Sequence, residues 1–530
     1  MKLKLIMLSL TTALISFTSS AQEKIDSNIK WSENIDRQGS KGELIIDENE
    51  VLTKLYYNAG YLKVQKIDAE NEVETEKDFH YRKFTKGASH LFMIKTNNFI
   101  NLICRHKEMG KFVFRHSRIN LTSLEVEIRS QELFSQDYIR EKNVPDVTLC
   151  VSPDESKFFI GHHNYSNRYK KEGVIFYTYV GNIFDATGAK INSGEVELEG
   201  RKVYVRRQRA NPQITNEGVA FFRHEYKNKV FQLRPNSSQI EECPISKEIL
   251  KFNPSFNKIN NIKVLNGDKN YVCFTYSEKE DRRFLTGMVI CELLLSGEFK
   301  ILTQFRMPSG LIETFSNTEY ETSRDCIRET ENEKKQLFNW KVSDFEKLDD
   351  IFVLILEYNH MTTSHSSLSV LGETFRHGEI VVFKFNSGFK EYDYHIIPKL
   401  FTGACGVSNC EGLLSTANIS GYSLFNFNSK IILFYWGNSK NEIHTNATTT
   451  EKREIFHIPT DFKDEDKMCM YKVEINSSKE PLHFYNLGSY MSTKYPLLLN
   501  QGVRLEENIY FRAQKRTSSN DYFKVARYTF

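Results

Sequence analysis

The chain has 530 residues, with 71 Lys and Arg against 68 Asp and Glu and a formal charge of +3. That balance provides no broad electrostatic field and argues against nucleic acid or an anionic membrane surface as a general partner. Aromatic residues make up 13%, with 39 Phe and 26 Tyr against only 11 Pro, a bias that suits pleated, half-buried surfaces.

In chain order, Lys2 and Lys4 come first, then the apolar run LIMLSLTTALISF, then small residues up to Ala21. This is the layout of a signal peptide over residues 1–21, with cleavage before Gln22. Its removal takes away two lysines and lowers the charge from +3 to +1. The apolar run is too short to span a bilayer comfortably, and no second one follows. The expectation is an exported chain, periplasmic or extracellular, with no transmembrane segment after signal removal.

From residue 42 onward one unit recurs: an apolar strand ending in polar residues, a loop, and a second apolar strand. Clear copies are YVCFTYS (from Tyr271) with GMVICELLLSG (from Gly287), and IFVLILEYNH (from Ile351) with EIVVFKFNSG (from Glu379). The second strands align on Val51, Ile100, Phe158, Val219, Val272, Ile351, Ile431 and Ile509. Their spacing is 49–61 residues at first and 78–80 over the last three intervals. Expected inner strands begin at Gly42, His90, Asp146, Lys202, Asn261, Leu337, Gly421 and Tyr495, and expected outer strands at Leu124, Gly194, Phe299, Glu391 and Pro481. Asn, Asp, Gly and Ser cluster between them, as turns require. A four-stranded repeat needs roughly 40–50 residues, so the last three intervals carry about 30 extra residues each.

Repetition of one β-unit implies an array built blade by blade. VSPDESKFFIG (from Val151) resembles the strand–turn–strand of many propeller blades, and the chain as a whole resembles the β-propeller fold. The resemblance implies an all-β protein: a single closed β-propeller of about eight four-stranded antiparallel blades over residues 22–530. The count becomes seven if the weak first repeat (VLTKLYYN, YLKVQKID) is not a blade. The regular long spacing argues against a β-sandwich or β-helix. The last repeat stops in its third strand, and NIKWSENI (from Asn28) is the spare strand expected to complete it. Closure would remove an open edge. No WD dipeptide, kelch glycine pair or DxDxDG run is present to single out one propeller family.

In antiparallel blades, the loop between strands two and three shares a face of the ring with the connection to the next blade. Insertions at 307–335, 359–378, 399–420 and 437–467 all fall on such connections, around blades five to seven. Loops of that length are usually functional or disordered. They hold His360, His365, Arg376, His377 and His444, expected ligand-binding residues on a rigid scaffold. Tyr358 and Trp436 are candidates for stacking on a sugar or peptide, or for packing blade against blade. Arg206 and Arg209, ending an expected inner strand, are candidates for a carboxylate or phosphate at the channel mouth. Arg105, His106, His162, His163, Arg223 and His224 would extend this into a basic rim.

Nine cysteines leave at least one unpaired. Cys405 and Cys410 share a loop in which a disulfide can form, while Cys104, Cys150, Cys273, Cys291 and Cys469 fall in strands as small hydrophobes. No spacing points to a metal, and no motif points to a cofactor. GxSxG, HExxH and phosphate-cradling glycine loops are absent. The expected function is therefore a secreted or periplasmic binding scaffold, a monomer or part of a surface assembly. Its partner would be an envelope or extracellular protein, a peptide or a saccharide. The alternative is a propeller hydrolase or lyase acting on glycans or peptides.

Overall fold

The computed structural model describes residues 29–529, apart from 32–40, 81–89, 138–146, 201–211, 318–326, 407–421, 439–455, 458–467 and shorter stretches of one to seven residues. The signal-like residues 1–21 lie outside the described residues. Eight blades follow one another along the chain; seven are four-stranded antiparallel sheets, and the blade-six sheet joins its four antiparallel blade strands to two further strands. The weak first repeat is a blade of its own, Lys41–Ile46, Leu52–Asn58, Tyr61–Ile67 and Val73–Phe79, which makes the count eight. Among the described residues no helix is long and apolar enough to cross a membrane.

The middle strands read as continuous apolar runs because both of their faces are covered. In blade five every residue of Asn270–Ser277 is buried. Side chains alternate along a strand. Val272, Phe274 and Tyr276 therefore pack with blade four, and Tyr271 and Cys273 pack with blade six. The third strand, Gly287–Leu293, divides likewise, with Val289 and Cys291 on one side and Met288 and Ile290 on the other. Each fully buried Val, Leu, Ile or Phe contributes roughly 1.5–3 kcal/mol, so the blade interfaces are the core. Such clusters join blades one and two, two and three, three and four, four and five, and five and six. Another spans blades six to eight, and Leu44, Leu52 and Ile67 of blade one meet Tyr510 and Val525 of blade eight. Blade eight takes its fourth strand from Ile29–Trp31, which pairs antiparallel with Ala526–Tyr528.

Two strand assignments from the sequence need correction. The inner strand of blade four is the two-residue Gln213–Ile214; the segment beginning at Lys202, with Arg206 and Arg209, lies outside the described residues. The run LFNWKVS is divided at Asn339, whose φ of +63° breaks the extended backbone. Lys335–Phe338 leaves to pair with Phe284–Leu285 and Ile327–Glu329, and the blade-six inner strand starts at Trp340. Within insertion 307–335, the helix Ser309–Asn317 buries Leu311 and Phe315, and the Phe315 ring lies 5.0 Å from that of Trp340.

Cys104, Cys243, Cys273 and Cys291 are buried free thiols, and Cys469 is buried as well. Cys291 pairs with Val272 and Cys273 with Ile290, so the two cysteines occupy opposite faces of blade five. Burial pushes the Cys104 and Cys243 thiols up to about 12.

Candidate functional site

Insertion 359–378 is paired strand rather than loop. The second and third strands of blade six, Ile351–His365 and Val370–Asn386, run on as one long hairpin. Its lower half, from Ile351↔Asn386 to Glu357↔Ile380, belongs to the blade. Its upper half, from Asn359↔His377 to His365↔Val370, continues past the blade part as an arm. Between the halves the register shifts at Glu357/Asn359, a bulge of the kind that bends a strand away from its sheet. Gly378 lies at this root, where a Cβ would collide with the Tyr358 ring.

The outer strand of blade six is likewise interrupted and resumed. Tyr392–Ile397 pairs with the blade part of the third strand, and Phe401–Gly406, from insertion 399–420, pairs with the arm part. A fourth strand comes from blade seven: Phe456–His457, within insertion 437–467, pairs in parallel with Phe401–Thr402. Three insertions thus add strands to the blade-six sheet. Its register sets His360 opposite Arg376, Arg376 opposite Thr402, and Thr402 opposite His457. The adjacent row is Asn359, His377, Phe401 and Phe456.

Of the residues expected to bind ligand, His360 and Arg376 are brought together directly and His377 falls one row away. His365 pairs with Val370 at the far end of the arm, five residues and roughly 17 Å from His360. His444, Arg206, Arg209 and Cys410 lie outside the described residues, and Cys405 falls in the third strand of the arm sheet, opposite Glu373. Tyr358 and Trp436 are not exposed stacking platforms: both are buried, with Tyr358 in the blade five–six cluster and Trp436 in the cluster of blades six to eight.

The basic rim is also corrected. Arg105, His106 and His224 are buried near the ends of second strands, while His162 and His163, expected at a strand end, are buried inside the longer strand Lys157–Lys171. His162 stacks on Phe134 at 4.7 Å, His163 meets Tyr177 edge-on at 5.0 Å, and His224 Nε2 lies 3.1 Å from the Tyr177 hydroxyl. Arg105 lies 5.2 Å over the Phe112 ring, and Arg223 donates to the Asn260 carbonyl at 2.8 Å. These side chains are part of the blade packing.

Beneath the arm, polar groups that were not singled out in the sequence tie together the inner strands of blades five to seven. Lys399, buried in the break of the outer strand, donates to Glu357 Oε1 at 2.6 Å and lies 5.8 Å over the Tyr422 ring. The Tyr422 hydroxyl bonds Ser343 Oγ and Asp344 Oδ2. From blade five, Lys263 Nζ donates to the Ser343 carbonyl at 2.5 Å and lies 3.2 Å from Asp344 Oδ1. Burial and the Asp344 charge push the Glu346 carboxyl up to about 7. Burial, with Asp344 and Glu357 adding to it, pushes the Tyr422 phenol well above its ordinary range. A buried Lys–Glu pair is costly to break and fixes geometry more than it adds stability. Here the pair fixes the root of the arm. The one available signal was polar residues within otherwise apolar strands, as in KVSDFEKL (from Lys341), and the lone Lys399 in IIPKLF.

No family model and no curated protein matches this chain. Solved structures do. The WD40 domain of SCAP from fission yeast is 9% identical with a TM-score of 0.34, covering 94% of this chain and 98% of that one. The polysaccharide lyase Uly1 is 8% identical with a TM-score of 0.34, covering 84% and 90%. Prolyl oligopeptidase B from Galerina marginata is 8% identical with a TM-score of 0.36, covering 96% of this chain and 57% of that one. What the blades and their register establish is the architecture: an eight-bladed β-propeller whose blade-six sheet is extended by strands from three insertions.

Proposed function

We infer that the protein is an exported, periplasmic or extracellular binding scaffold that holds its ligand or protein partner on the loop-rich face of blades five to seven. One observation carries this reading: three separate insertions, within 359–378, 399–420 and 437–467, contribute strands to one extension of the blade-six sheet. Ring packing does not call for that extension. Bringing distant segments together has an entropic cost that grows with the loop closed, and the blades already bury one another's faces. A rigid ring bearing one elaborated face is a common way to position a recognition surface. The signal-like residues 1–21 support export.

The test is a comparison of the intact protein with a form in which 359–378 and 437–467 are replaced by short turns. Both are presented to envelope extract and to a panel of peptides and saccharides. The expected result is that the shortened form folds, with a native circular dichroism spectrum, and loses the partner the intact form retains. A folded shortened form that keeps every partner and ligand would sink the reading.

A further inference from the structure

We propose that Glu346 is the proton switch of a latch between the inner strands of blades six and seven, which holds the two strands together while the Glu346 carboxyl is protonated and loosens when it ionises. The latch acts in the unliganded chain, so it stands or falls apart from the binding-scaffold reading.

The blade-six inner strand, Trp340–Leu348, turns its two sides to different neighbours. Val342 and Phe345 pack in the cluster shared with blade five, and Leu348 in the cluster shared with blades seven and eight. Alternation puts Asp344 and Glu346 with Leu348, on the side toward blade seven. The blade-seven inner strand, Tyr422–Phe427, meets this side at two points. The Tyr422 hydroxyl bonds Asp344 Oδ2 and Ser343 Oγ, and Asn426 Nδ2 donates to the Lys347 carbonyl at 3.3 Å. Leu424, between Tyr422 and Asn426 on the same side of its strand, packs against the apolar cluster. Glu346 therefore lies between the two polar ties, at the level of an apolar side chain.

The charged and titratable groups around it, among the described residues, come from four elements. On its own strand Asp344 stands two residues away on the same side, about 6.7 Å along the strand, while Lys347 alternates to the other side. From blade five, Lys263 Nζ lies 3.2 Å from Asp344 Oδ1 and donates to the Ser343 carbonyl, so its charge is placed at Asp344. The second strand of blade six sets the neutral Val353 opposite Glu346. Blade seven offers Tyr422, and Lys399 over its ring is held in turn by Glu357. Burial first, then the Asp344 charge, raise the Glu346 carboxyl to about 7, against the pull of Lys263. With the proton on, Lys263 matches the single charge of Asp344. With the proton off, a second negative charge stands beside Asp344 in a half-buried setting, and water must enter between the strands to solvate it. By linkage, such a carboxyl stabilises the closed latch fully below its ordinary value of 4.5, and the contribution is lost as pH rises through about 7.

The experiment is hydrogen exchange of the full chain, followed by mass spectrometry from about pH 5.5 to about pH 8, with rates corrected for the intrinsic effect of pH. Wild type is compared with Glu346→Gln, which cannot ionise, and with Asp344→Asn, which removes the neighbouring charge. In wild type, opening of Trp340–Leu348 and Tyr422–Phe427 should increase about tenfold or more over that range and level off near the top of it. E346Q should abolish the rise, and D344N should make it level off at lower pH. The buried imidazoles His116 and His162, in blades two and three, destabilise the chain on the acid side, so a change of global origin would run the opposite way. An equal rise in wild type and E346Q overturns the proposal. So does a rise of the same size in the inner strand of blade two, His90–Thr96. If E346Q does not fold, D344N decides: a rise that levels off where wild type does overturns the proposal.

Discussion

His162 is 4% exposed, with its ring 4.7 Å from Phe134 and 6.2 Å from Phe114. Burial lowers its pKa to about 3, so it stays neutral in the folded chain through the mildly acidic range. His116 behaves alike: burial, with Arg118 adding to it, lowers its pKa to about 4, and its Nε2 lies 2.6 Å from Asn101 Oδ1. Each is a base with a depressed folded pKa, so the unfolded chain binds the extra proton, near its ordinary pKa of about 6.5. Stability is therefore complete above pH 6.5 and falls as pH drops toward 4. For His162 the loss between pH 6.5 and 4.5 is about 2 kcal/mol. Urea midpoints taken across that range check this. His162→Phe keeps an aromatic ring in the stack and should flatten the acid limb by that amount relative to wild type. Parallel limbs for the two proteins would refute the assignment. Sequence showed only the His162–His163 pair at a strand end. That the pair is packed between blades depends on Phe114 and Phe134 of the preceding repeat, contacts that strand periodicity cannot locate.

Blade three shows at the level of the element what the apolar pattern conceals. Gly161 pairs with Gly181, and Gly181 with Gly194, so one row of glycines crosses three strands. Large groups cover the row. A Cβ on Gly161 would collide with the Tyr179 hydroxyl; on Gly181 it would come within 2.7 Å of Phe159 and 3.3 Å of Ile240; on Gly194 within 2.7 Å of Leu233. Ile240 and Leu233 belong to blade four, so the missing side chains set how closely the two blades approach. Gly181→Val should overpack this interface and lower stability by roughly 1–3 kcal/mol, read as a lower urea midpoint at an unchanged slope. A neutral result would mean that the Phe159 ring moves aside freely. Elements were legible wherever both faces of a strand are buried, as in Asn270–Ser277. The inner strand of blade four was not, because Gln213–Ile214 is only two residues long and the stronger run VYVRRQR precedes it. The arm was not either: NHMTTSH carries no apolar alternation, and its register becomes visible only once Val370–His377 lies beside it.

A ring of blades has no edge only if the last blade is complete. The chain supplies three strands to blade eight at one end and Ile29–Trp31 at the other, with Ile29, Lys30 and Trp31 opposite Tyr528, Arg527 and Ala526. The middle strands of blade eight also contribute Tyr510 and Val525 to the cluster with Leu44, Leu52 and Ile67 of blade one. The first and last parts of the sequence therefore meet in one sheet and in one apolar interface. Such contacts span almost the whole chain and form only when the intervening blades are in place. A strand of three residues buries little by itself, but without it Asp521–Thr529 becomes an open edge ready to pair with another molecule. Lys30→Pro together with Trp31→Pro removes two consecutive N–H groups, at least one of which faces the ladder, and should cost about 1–3 kcal/mol for the lost ladder bond. The expected signature is twofold: a lower melting temperature, and association that grows with protein concentration in light scattering. A lower melting temperature with no association would mean that the edge stays shielded by other means. Neither change would show that Ile29–Trp31 is dispensable and that the blade one–eight cluster alone holds the ring.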